Sequence, residues 1–595
     1  MADLVQHRIE NRIPELEQLE RVGLFTKKEV KSLLKRSTAL EYKLYRAVSS
    51  KDDFISYVQY EINVLELIKK RRTHIGYQFK REEIEYPIIQ RVNNVFRRAT
   101  SKWKEDVQLW LSQVAFCKKW ATKGQLSKVF SSMLAIHPDK PALWIMAAKY
   151  EMEDRDSSES ARHLFLRALR FHPENPKIYQ EYFRMELMHA EKLRKQQQEL
   201  EQAQIDVGEY EFSPEILSGK LAEVVYRDAS QKIKGAEFIL SLLQIAAVFD
   251  FTKDLQETIL QDLQNHHTDD SLTWDFMAKR ELETAVAPEL QTPKGRATDI
   301  NRKEERACIV YEEGLKSLNT EAMWTCYVTF CLDRYKRKTN VTELKEKRRE
   351  RFLNVLQRAH DSALLQENFY KNWLQVLQSS GDNEHAVQVA IAATQRFNQS
   401  VETWSLSLQT LVKLGSEEAG RLFQEALKHV NPKESLPLWL LKVEWSMSSQ
   451  TPEETEALFK KGLLSPVPAV STAMKEKYLD WSYMTGGYKV ARKTFTSLNE
   501  HRPFTKAFFT RMIQIEKDQE TPKMNNLRDY YERALREFGS TDDDLWMEYI
   551  KEEQGPYGSP ENCGRLHWRA IKTLEGQAVE NFTTKYTLFQ TGHIQ

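Results

Sequence analysis

The residues with the clearest capacity for chemistry are two adjacent histidines, His266 and His267, which are followed by Asp269 and Asp270. Imidazole and carboxylate side chains are common ligands of zinc and other divalent metals. Adjacent residues point in different directions on a helix, however, and no further ligand stands at the spacing of an HExxH motif. The sequence therefore predicts no metal site.

Glutamate and arginine residues that could act as acid and base recur along the chain, as in Glu151 with Arg162 and Glu516 with Arg528. Catalytic groups do not recur with a repeat, so we interpret these pairs as ion pairs between the two helices of one repeat unit. The GxxxxGK[ST], GxGxxG and GxSxG motifs are absent from the sequence. We predict a protein that is not an enzyme and that has no cofactor and no small-molecule substrate.

Two segments concentrate positive charge. Residues 69–72 read KKRR, and residues 334–351 hold nine basic and three acidic residues, a net charge of +6. Either segment could contact RNA phosphates or act as a nuclear-import signal, and either could equally be a solvated helix end. Neither has the interleaved aromatic residues that stack on bases. The candidate residues are Lys69, Lys70, Arg71, Arg72, Lys336, Arg337, Lys338, Lys347, Arg348 and Arg349.

The overall charge nearly cancels, with 87 Lys plus Arg against 86 Asp plus Glu, so no global field draws the protein onto nucleic acid or membrane. The five cysteines are dispersed and lack CxxC spacing, which favours a reducing compartment. Charged residues interrupt the N-terminus where a signal peptide needs an apolar run, and the most apolar segment, residues 238–251, is too short to span a bilayer. We expect neither secretion nor a membrane-spanning helix.

A repeat with a stride near 36 residues organises the chain. Aromatic or apolar marks, several with a small residue three positions later, fall at Phe96, Phe130, Phe165, Tyr226, Leu260, Tyr311, Leu356, Val389, Phe423, Phe459, Phe495, Tyr531 and His567. An earlier segment of most units opens with a tryptophan. The repeat signature that we propose is Trp110, Trp144, Trp274, Trp324, Trp404, Trp439 and Trp546 with Ala168, Ala426, Gly462 and Ala534. We expect the tryptophans to pack in the core rather than to form a ligand cage.

Each unit predicts two amphipathic helices, because apolar residues recur at helical intervals and polar caps or Pro and Gly breakers bound the segments. The small residue lets two helices cross closely, and we expect the aromatic residue one turn earlier to fill the space beside the neighbouring tryptophan. A chain of 595 residues is too long for one compact core. The sequence predicts an all-α fold, an α-solenoid that coils into a superhelix of helix-turn-helix repeats and exposes a concave surface suited to binding.

The pattern divides the chain into regions. We predict an N-terminal helical docking or capping region over 1–75, a first repeat array over 76–283 with a polar insertion near 191–215, a linker over 284–303, a second array over 304–577 and a C-terminal tail over 578–595. In the first region, Thr26 and Glu29 form a capping box. An apolar seam that begins at Val5 and ends at Leu19 is either a docking element for another protein or a terminal cap on the array.

The segments SARHLFLRAL (160–169), KVARKTFTSL (489–498) and LRDYYERAL (527–535) resemble the half-a-TPR, or HAT, repeats of RNA-processing factors. The resemblance is closer still to one family. The opening residues 8–46, FISYVQYEINVLELIKKRR (54–72), LWLSQVAFCKKWATKGQLSKVF (109–130) and PALWIMAAKYEME (141–153) look like the U3 small nucleolar RNA-associated protein 6 family. The fold class is thus identified as a solenoid of HAT/TPR-like repeats with an N-terminal helical extension.

The family resemblance implies a non-enzymatic scaffold subunit of the small-subunit processome, located in the nucleus and nucleolus and needed for the cleavages that release 18S ribosomal RNA. It implies other processome proteins as partners, among them WD40 propeller subunits of the UtpB subcomplex, with indirect contact to the U3 ribonucleoprotein and pre-ribosomal RNA. One alternative is direct RNA binding through the two basic segments. Another is a scaffold in messenger RNA splicing or 3′-end processing, since HAT repeats also occur in those factors.

Overall fold

The computed structural model describes residues 2–46, 48–120, 123–203, 213–283 and 292–592. All regular secondary structure in these ranges is helical, which confirms the predicted all-α fold of paired helices. The chain groups into two compact units, Met1–Gln291 with Asp299–Asn319 and Thr292–Thr298 with Thr320–Gln595. In each unit, helices that are consecutive in sequence pack against each other.

The helices of the first unit are α1 (Ala2–Glu10), α2 (Ile13–Arg21), α3 (Lys27–Leu44), α4 (Lys51–Ile75), α5 (Arg81–Lys102), α6 (Val107–Trp120), α7 (Lys123–Ile136), α8 (Pro141–Glu153), α9 (Ser158–Phe171), α10 (Pro176–Gln202), α11 (Pro214–Leu217), α12 (Lys220–Lys232), α13 (Ala236–Ala247), α14 (Lys253–His266), α15 (Ser271–Arg280) and most of α16 (Pro293–Ser317).

The helices of the second unit are α17 (Glu321–Lys336), α18 (Thr342–Asp361), α19 (Asn368–Ser380), α20 (Asn383–Arg396), α21 (Val401–Lys413), α22 (Ala419–His429), α23 (Leu436–Ser449), α24 (Pro452–Leu463), α25 (Pro468–Leu498), α26 (Lys506–Lys517), α27 (Met524–Phe538), α28 (Asp543–Gln554), α29 (Glu561–Thr573) and α30 (Gln577–Gln590).

The aromatic marks of the repeat stack on the first helix of the following unit. Phe165 of α9 stacks on Tyr182 of α10 with ring centroids 5.3 Å apart, and Tyr531 of α27 stacks on Tyr549 of α28 at 4.8 Å. Phe459 of α24 meets Tyr478 of α25 at 4.9 Å. These marks therefore meet tyrosines within the next helix, and Phe459 also meets Trp481 of α25 at 5.6 Å. None of these partners is a helix-opening tryptophan, which the sequence led us to expect.

The helix-opening tryptophans bind the loop that precedes their own helix. Six of the seven signature tryptophans are buried, and Trp274 is half-buried. Five of the seven donate a hydrogen bond to that loop. A loop carbonyl gains a hydrogen-bond partner in this way. The indole Nε1 donates to the backbone carbonyl of Lys104 from Trp110 (3.0 Å), Pro138 from Trp144 (3.0 Å), Thr268 from Trp274 (3.0 Å), Asn398 from Trp404 (2.7 Å) and Gly539 from Trp546 (2.8 Å).

Two of these carbonyls accept a second bond from the end of the unit. The Nε2 of His137, which follows α7, donates to the Lys104 carbonyl at 2.9 Å, and that of His172, which follows α9, donates to the Pro138 carbonyl at 2.8 Å. The loop before the first helix is thus bonded to both helices of its unit.

The small residues of the signature are buried in the packing of the helices. Ala168, Ala426 and Ala534 are fully buried. At Gly462 in α24, an added Cβ would lie 2.6 Å from Cγ of Met474 in α25, which is closer than real contacts allow. A larger residue there would force the Met474 side chain or the helix that carries it to shift.

The recurrent ion pair joins successive units, which corrects the predicted pairing within a unit. Nε of Arg162 in α9 donates to Glu186 of α10 at 2.6 Å, and Nε of Arg528 in α27 donates to Glu553 of α28 at 2.6 Å. Glu151, which we had paired with Arg162, instead accepts from a serine of α7. The predicted pairing failed because each helix in a repeat array packs against both the preceding and the following helix, and sequence spacing alone does not say which of them supplies the partner.

We call this ion pair between successive units the clamp, and it changes the pKa of the glutamate in it. Burial on its own would raise the pKa of Glu553, but the hydrogen bonds from Arg528 and from the Ser559 N–H outweigh burial and lower it. Glu516, the other glutamate of the predicted pairs, accepts from Tyr488 at 2.6 Å and from Asn526 at 3.3 Å. The glutamates at this repeat position thus differ in their partners, which are an arginine for Glu553 and a tyrosine and an asparagine for Glu516.

Three regions that the sequence set apart from the regular repeat units contain helix. The polar insertion continues α10 as far as Gln202, and residues 204–212 lie outside the described part. The second half of the predicted linker forms the first turns of α16 from Pro293, because proline at the first position starts a helix as well as a loop. Residues 284–291 lie outside the described part. The predicted tail includes α30, whose Phe582 is fully buried.

The N-terminal seam is largely covered by its own unit. Val5, Leu16 and Leu19 are buried, and Ile13 is 41% exposed. The predicted capping box is present, since Thr26 and Glu29 exchange hydrogen bonds at the start of α3. This burial favours the cap interpretation of the seam over the docking interpretation.

Helix α25 contains both helices of one repeat joined without a loop. The backbone at Gly487 is non-helical, with φ 65° and ψ −165°. A positive φ favours glycine, which explains why Gly487 stands at this bend. The mark Phe495 follows on the second half, where it is buried.

We expect Trp144→Phe to destabilise the protein by about 1–3 kcal/mol, because one hydrogen bond is lost and the smaller ring leaves a void. The shift in the urea midpoint of unfolding measures this cost. Trp568, which is 63% exposed, provides the control, and Trp568→Phe should change stability by less than about 0.5 kcal/mol. Equal effects of the two substitutions would contradict the role of the indole bond.

We expect Glu553→Gln to cost about 1–3 kcal/mol, because it leaves the Arg528 guanidinium, 30% exposed, beside a neutral side chain. A double-mutant cycle with Arg528→Met, followed by urea unfolding, should give a coupling between the two sites. The control is Glu418→Gln, whose partner Arg421 lies 2.7 Å away in an exposed pair and should contribute at most about 0.5 kcal/mol. Additivity of the Arg528 and Glu553 changes would refute the clamp.

Candidate interaction surfaces

Arg72 of the first basic segment is occupied inside the fold. It lies near the end of α4 and is 2% exposed. Its Nε and Nη2 donate to the Glu85 carboxylate at 2.6 and 2.9 Å, and its Nη1 donates to the carbonyls of Tyr77 at 3.2 Å and Phe79 at 2.8 Å. Its role here is to fix the turn between α4 and α5.

Arg71 is also engaged, and it fastens α4 to the start of α3. Its two terminal nitrogens donate to Glu29 at 2.6 and 3.0 Å, and Nη1 also donates to the Leu24 carbonyl at 2.8 Å. The guanidinium lies 4.3 Å from the Phe25 ring centroid. The bond from Arg71, together with the capping bonds from Thr26, lowers the pKa of Glu29 to about 2.

Lys69 and Lys70 are the members of this segment that reach solvent. The Lys69 ammonium lies 5.7 Å from the Trp120 ring centroid. A patch of four cations is thereby reduced to two, which weakens its attraction for a phosphate chain.

The second basic segment spans the end of α17, a short turn and the start of α18. Arg348 is buried and donates to the Arg337 carbonyl at 3.5 Å, and Arg349 is half-buried. The remaining candidates are exposed at the tip of this helical pair. We call them the hairpin cations: Lys336, Arg337, Lys338 and Lys347.

A buried ionic network at the N-terminus was not predicted. Arg12, 3% exposed, meets the fully buried Glu61 at 2.5 Å and Glu15 at 3.2 Å. Arg91 completes the network by bonding Glu15 at 2.5 Å and Glu61 at 3.4 Å. Burial opposes the charge of Arg12, yet the two carboxylates outweigh it and raise its pKa. The network holds α2 against α4 and α5, and Glu61 stands at the repeat's glutamate position.

A polar groove between α5 and α7 was likewise missed. It has a volume of about 570 Å³, and the first turns of α6 contribute to its lining. Its side chains come from three helices and from the loop after α5, and they are spread over residues 90–136, so no compact motif in the sequence marks them. The signal that could have found them is the polar face of α5, where Gln90, Asn93, Asn94 and Arg97 share one side of the helix.

The predicted metal-ligand candidates serve other purposes. His266 ends α14, and Asp270 caps α15 by accepting from the Leu272 N–H at 3.0 Å. No group of three or more His, Cys, Asp or Glu side chains in the described ranges is arranged to hold a metal ion. Across those same ranges, no helix combines the length and the apolar character needed to cross a bilayer.

Comparison with known proteins identifies related sequences along the whole chain. Residues 9–91 match the family described as U3 small nucleolar RNA-associated protein 6, and residues 305–574 match the family described as its C-terminal region. The N-terminal match contains Arg12, Arg71 and Arg72, and the C-terminal match contains the Arg528–Glu553 clamp.

Full-length relatives carry the same description. The chain is 57% identical to the U3 small nucleolar RNA-associated protein 6 homolog of Homo sapiens and 56% identical to that of Mus musculus, with 100% of each chain covered. The homolog of Dictyostelium discoideum is 24% identical over 96% of this chain and 98% of its own length.

We expect the Arg71–Glu29 pair to stabilise the protein in a pH-dependent way. Because the folded-state pKa of Glu29 lies below the unfolded value near 4.3, its contribution is present above that value and is lost as pH falls toward about 2. Arg71→Met should therefore lower the melting temperature at pH 6 and should approach the unmodified protein as the pH falls below about 4. Thermal unfolding across this pH range measures the difference.

The matched control is Lys70→Met, which removes the same charge from the adjacent exposed position. Its effect on the melting temperature should be small and should not depend on pH. An Arg71→Met deficit that stays constant from pH 6 to pH 3 would contradict the assigned pair.

Proposed function

Since this chain belongs to the U3 small nucleolar RNA-associated protein 6 family, we propose that it is a non-enzymatic scaffold subunit of a nucleolar particle that assembles the small ribosomal subunit. Its work is to support the processing of pre-ribosomal RNA to 18S ribosomal RNA. We propose the nucleus and nucleolus as its location. Its partners are other proteins of the particle, including WD40 propeller subunits, and its contact with the U3 ribonucleoprotein is indirect.

The observation that carries the proposal is the match along the full length to relatives described as associated with U3 small nucleolar RNA. The internal use of the repeat residues is consistent with it. The signature tryptophans and the recurrent glutamates form their hydrogen bonds and ion pairs within the array, so these side chains serve to hold the repeat together. Arrays of this kind offer long helical surfaces for binding other macromolecules.

The proposal is tested by purifying the epitope-tagged full chain from cells and identifying what accompanies it. We expect U3 RNA and propeller proteins in the eluate, and we expect the propeller proteins to remain after ribonuclease treatment. Recovery of splicing or polyadenylation factors in their place would overturn the assignment and favour the messenger RNA alternative.

Direct RNA binding is the second candidate function, and the hairpin cations are the observation that favours it. Replacing Lys336, Arg337, Lys338 and Lys347 with serine should leave particle association unchanged if the scaffold proposal holds. A matched control replaces four exposed lysines of the same unit, Lys413, Lys428, Lys433 and Lys461. Loss of U3 RNA in the hairpin variant alone would show that RNA is the main contact.

A further inference from the structure

We propose that the groove between α5 and α7 binds an extended acidic peptide segment of a partner protein. This inference rests on the proposed scaffold function and specifies the chemistry of one of its partners. Helices α5 and α7 each follow a first helix of the repeat, so the groove runs between equivalent helices of successive units with α6 as its floor.

The charge of the groove is one-sided. Its lining contains three cations, Arg97, Lys104 and Lys128, and no carboxylate. All three are exposed, and in the described part of the chain none lies within 4.0 Å of an acidic side chain. In a protein whose charges nearly cancel, a cavity with cations alone selects an anionic partner.

Carboxamides are the second feature. An extended peptide offers a backbone donor and an acceptor at each residue, and a carboxamide bonds both. The carboxamides of the groove lie on α5, α6 and α7, so they would contact a peptide backbone from several sides. They are Gln90, Asn93, Asn94, Gln113 and Gln125.

Two of these amides have bonding capacity left over. Gln113 is 4% exposed, yet its Oε1 has no hydrogen-bond partner among the described residues. The same holds for Nδ2 of Asn93, whose Oδ1 accepts from the Cys117 thiol at 2.9 Å. A buried acceptor and a buried donor without partners are costly to the free protein. Both atoms are shielded from solvent, so a bound backbone would pair with them only by drawing the two amide groups toward the groove.

The groove has room for a segment rather than a single side chain. A second cavity of about 520 Å³ shares Gln90, Asn94 and Arg97 with the first, so the two adjoin. The second cavity adds Arg8 and Arg98, which flank Glu41 at 3.1 and 3.6 Å. Together the two cavities lead from α7 across α5 to α1 and α3.

Single-stranded RNA is the other anionic chain that such a groove could meet, and the lining disfavours it. Proteins that bind unpaired bases stack them on exposed aromatic rings. The groove's one aromatic lining residue, Trp110, is 5% exposed and bonds the Lys104 carbonyl through its indole. The amides and the absence of a stacking platform favour a peptide.

The test measures binding to the purified full chain by fluorescence anisotropy. The probes are a labelled, end-blocked peptide of six Glu-Ala repeats, the matching Gln-Ala peptide, and labelled single-stranded uridine 12-mer RNA. We expect the Glu-Ala peptide to bind at least 10-fold more tightly than the other two. Equal binding of the two peptides, or binding of RNA without the acidic peptide, would overturn the proposal.

Two variants locate the site. Arg97→Ser with Lys128→Ser should weaken binding of the Glu-Ala peptide about 10-fold or more, whereas the exposed control pair Lys413→Ser with Lys461→Ser should change it less than 2-fold. Gln113→Leu should weaken binding about 3- to 10-fold without lowering the melting temperature, since it removes an unpaired buried oxygen. Affinity unchanged in both groove variants, or a Gln113→Leu loss accompanied by a lower melting temperature, would refute the assignment.

The tagged purification described above separates the two proposals. If the acidic peptide fails to bind while the particle is still recovered, only the peptide site is lost. If the particle is not recovered, the scaffold proposal itself fails.

Discussion

A unit of two helices cannot bury both of its apolar faces alone, and the contact between successive units supplies what is missing. At this contact the stack of Phe165 on Tyr182 lies beside the Arg162–Glu186 ion pair, and the same pairing of a stack with a clamp recurs at Tyr531 and Arg528. Ring stacking gives the drive for association, while the ion pair needs a defined geometry. The same interface thus both holds successive units together and fixes how their helices are aligned.

Much of the fold could be predicted from the sequence because buried positions recur with the period of the repeat. The marks and small residues, such as Phe423 with Ala426, reveal where helices cross, and the tryptophans reveal where first helices begin. The partner of each side chain was not legible. Arg162 has a glutamate on either neighbouring helix, Glu151 on α8 and Glu186 on α10, and only the three-dimensional arrangement selects Glu186. The same limit applied to Pro293, since proline begins both loops and helices.

The candidate surfaces were predictable only in part, because a sequence does not show whether a charged side chain is paired inside the fold or faces solvent. Arg72 looks like half of a patch with Lys70, yet it neutralises Glu85 inside the fold while Lys70 faces water. The groove shows the converse case. Arg97 and Lys128 are 31 residues apart in the sequence, and they line one groove only because their two helices lie on either side of it.

The bend at Gly487 joins its two helices through a single non-helical residue, so there is no loop here that could accommodate an inserted residue. Each residue inserted there would turn the following helix by about 100° about its axis, because an α-helix has 3.6 residues per turn. The face that carries Phe495 would then swing away from Phe508, on which it now stacks at 5.0 Å. Elsewhere the chain absorbs extra length as longer helices, so natural variation in length should avoid this elbow and accumulate around residues 191–215 and 334–351.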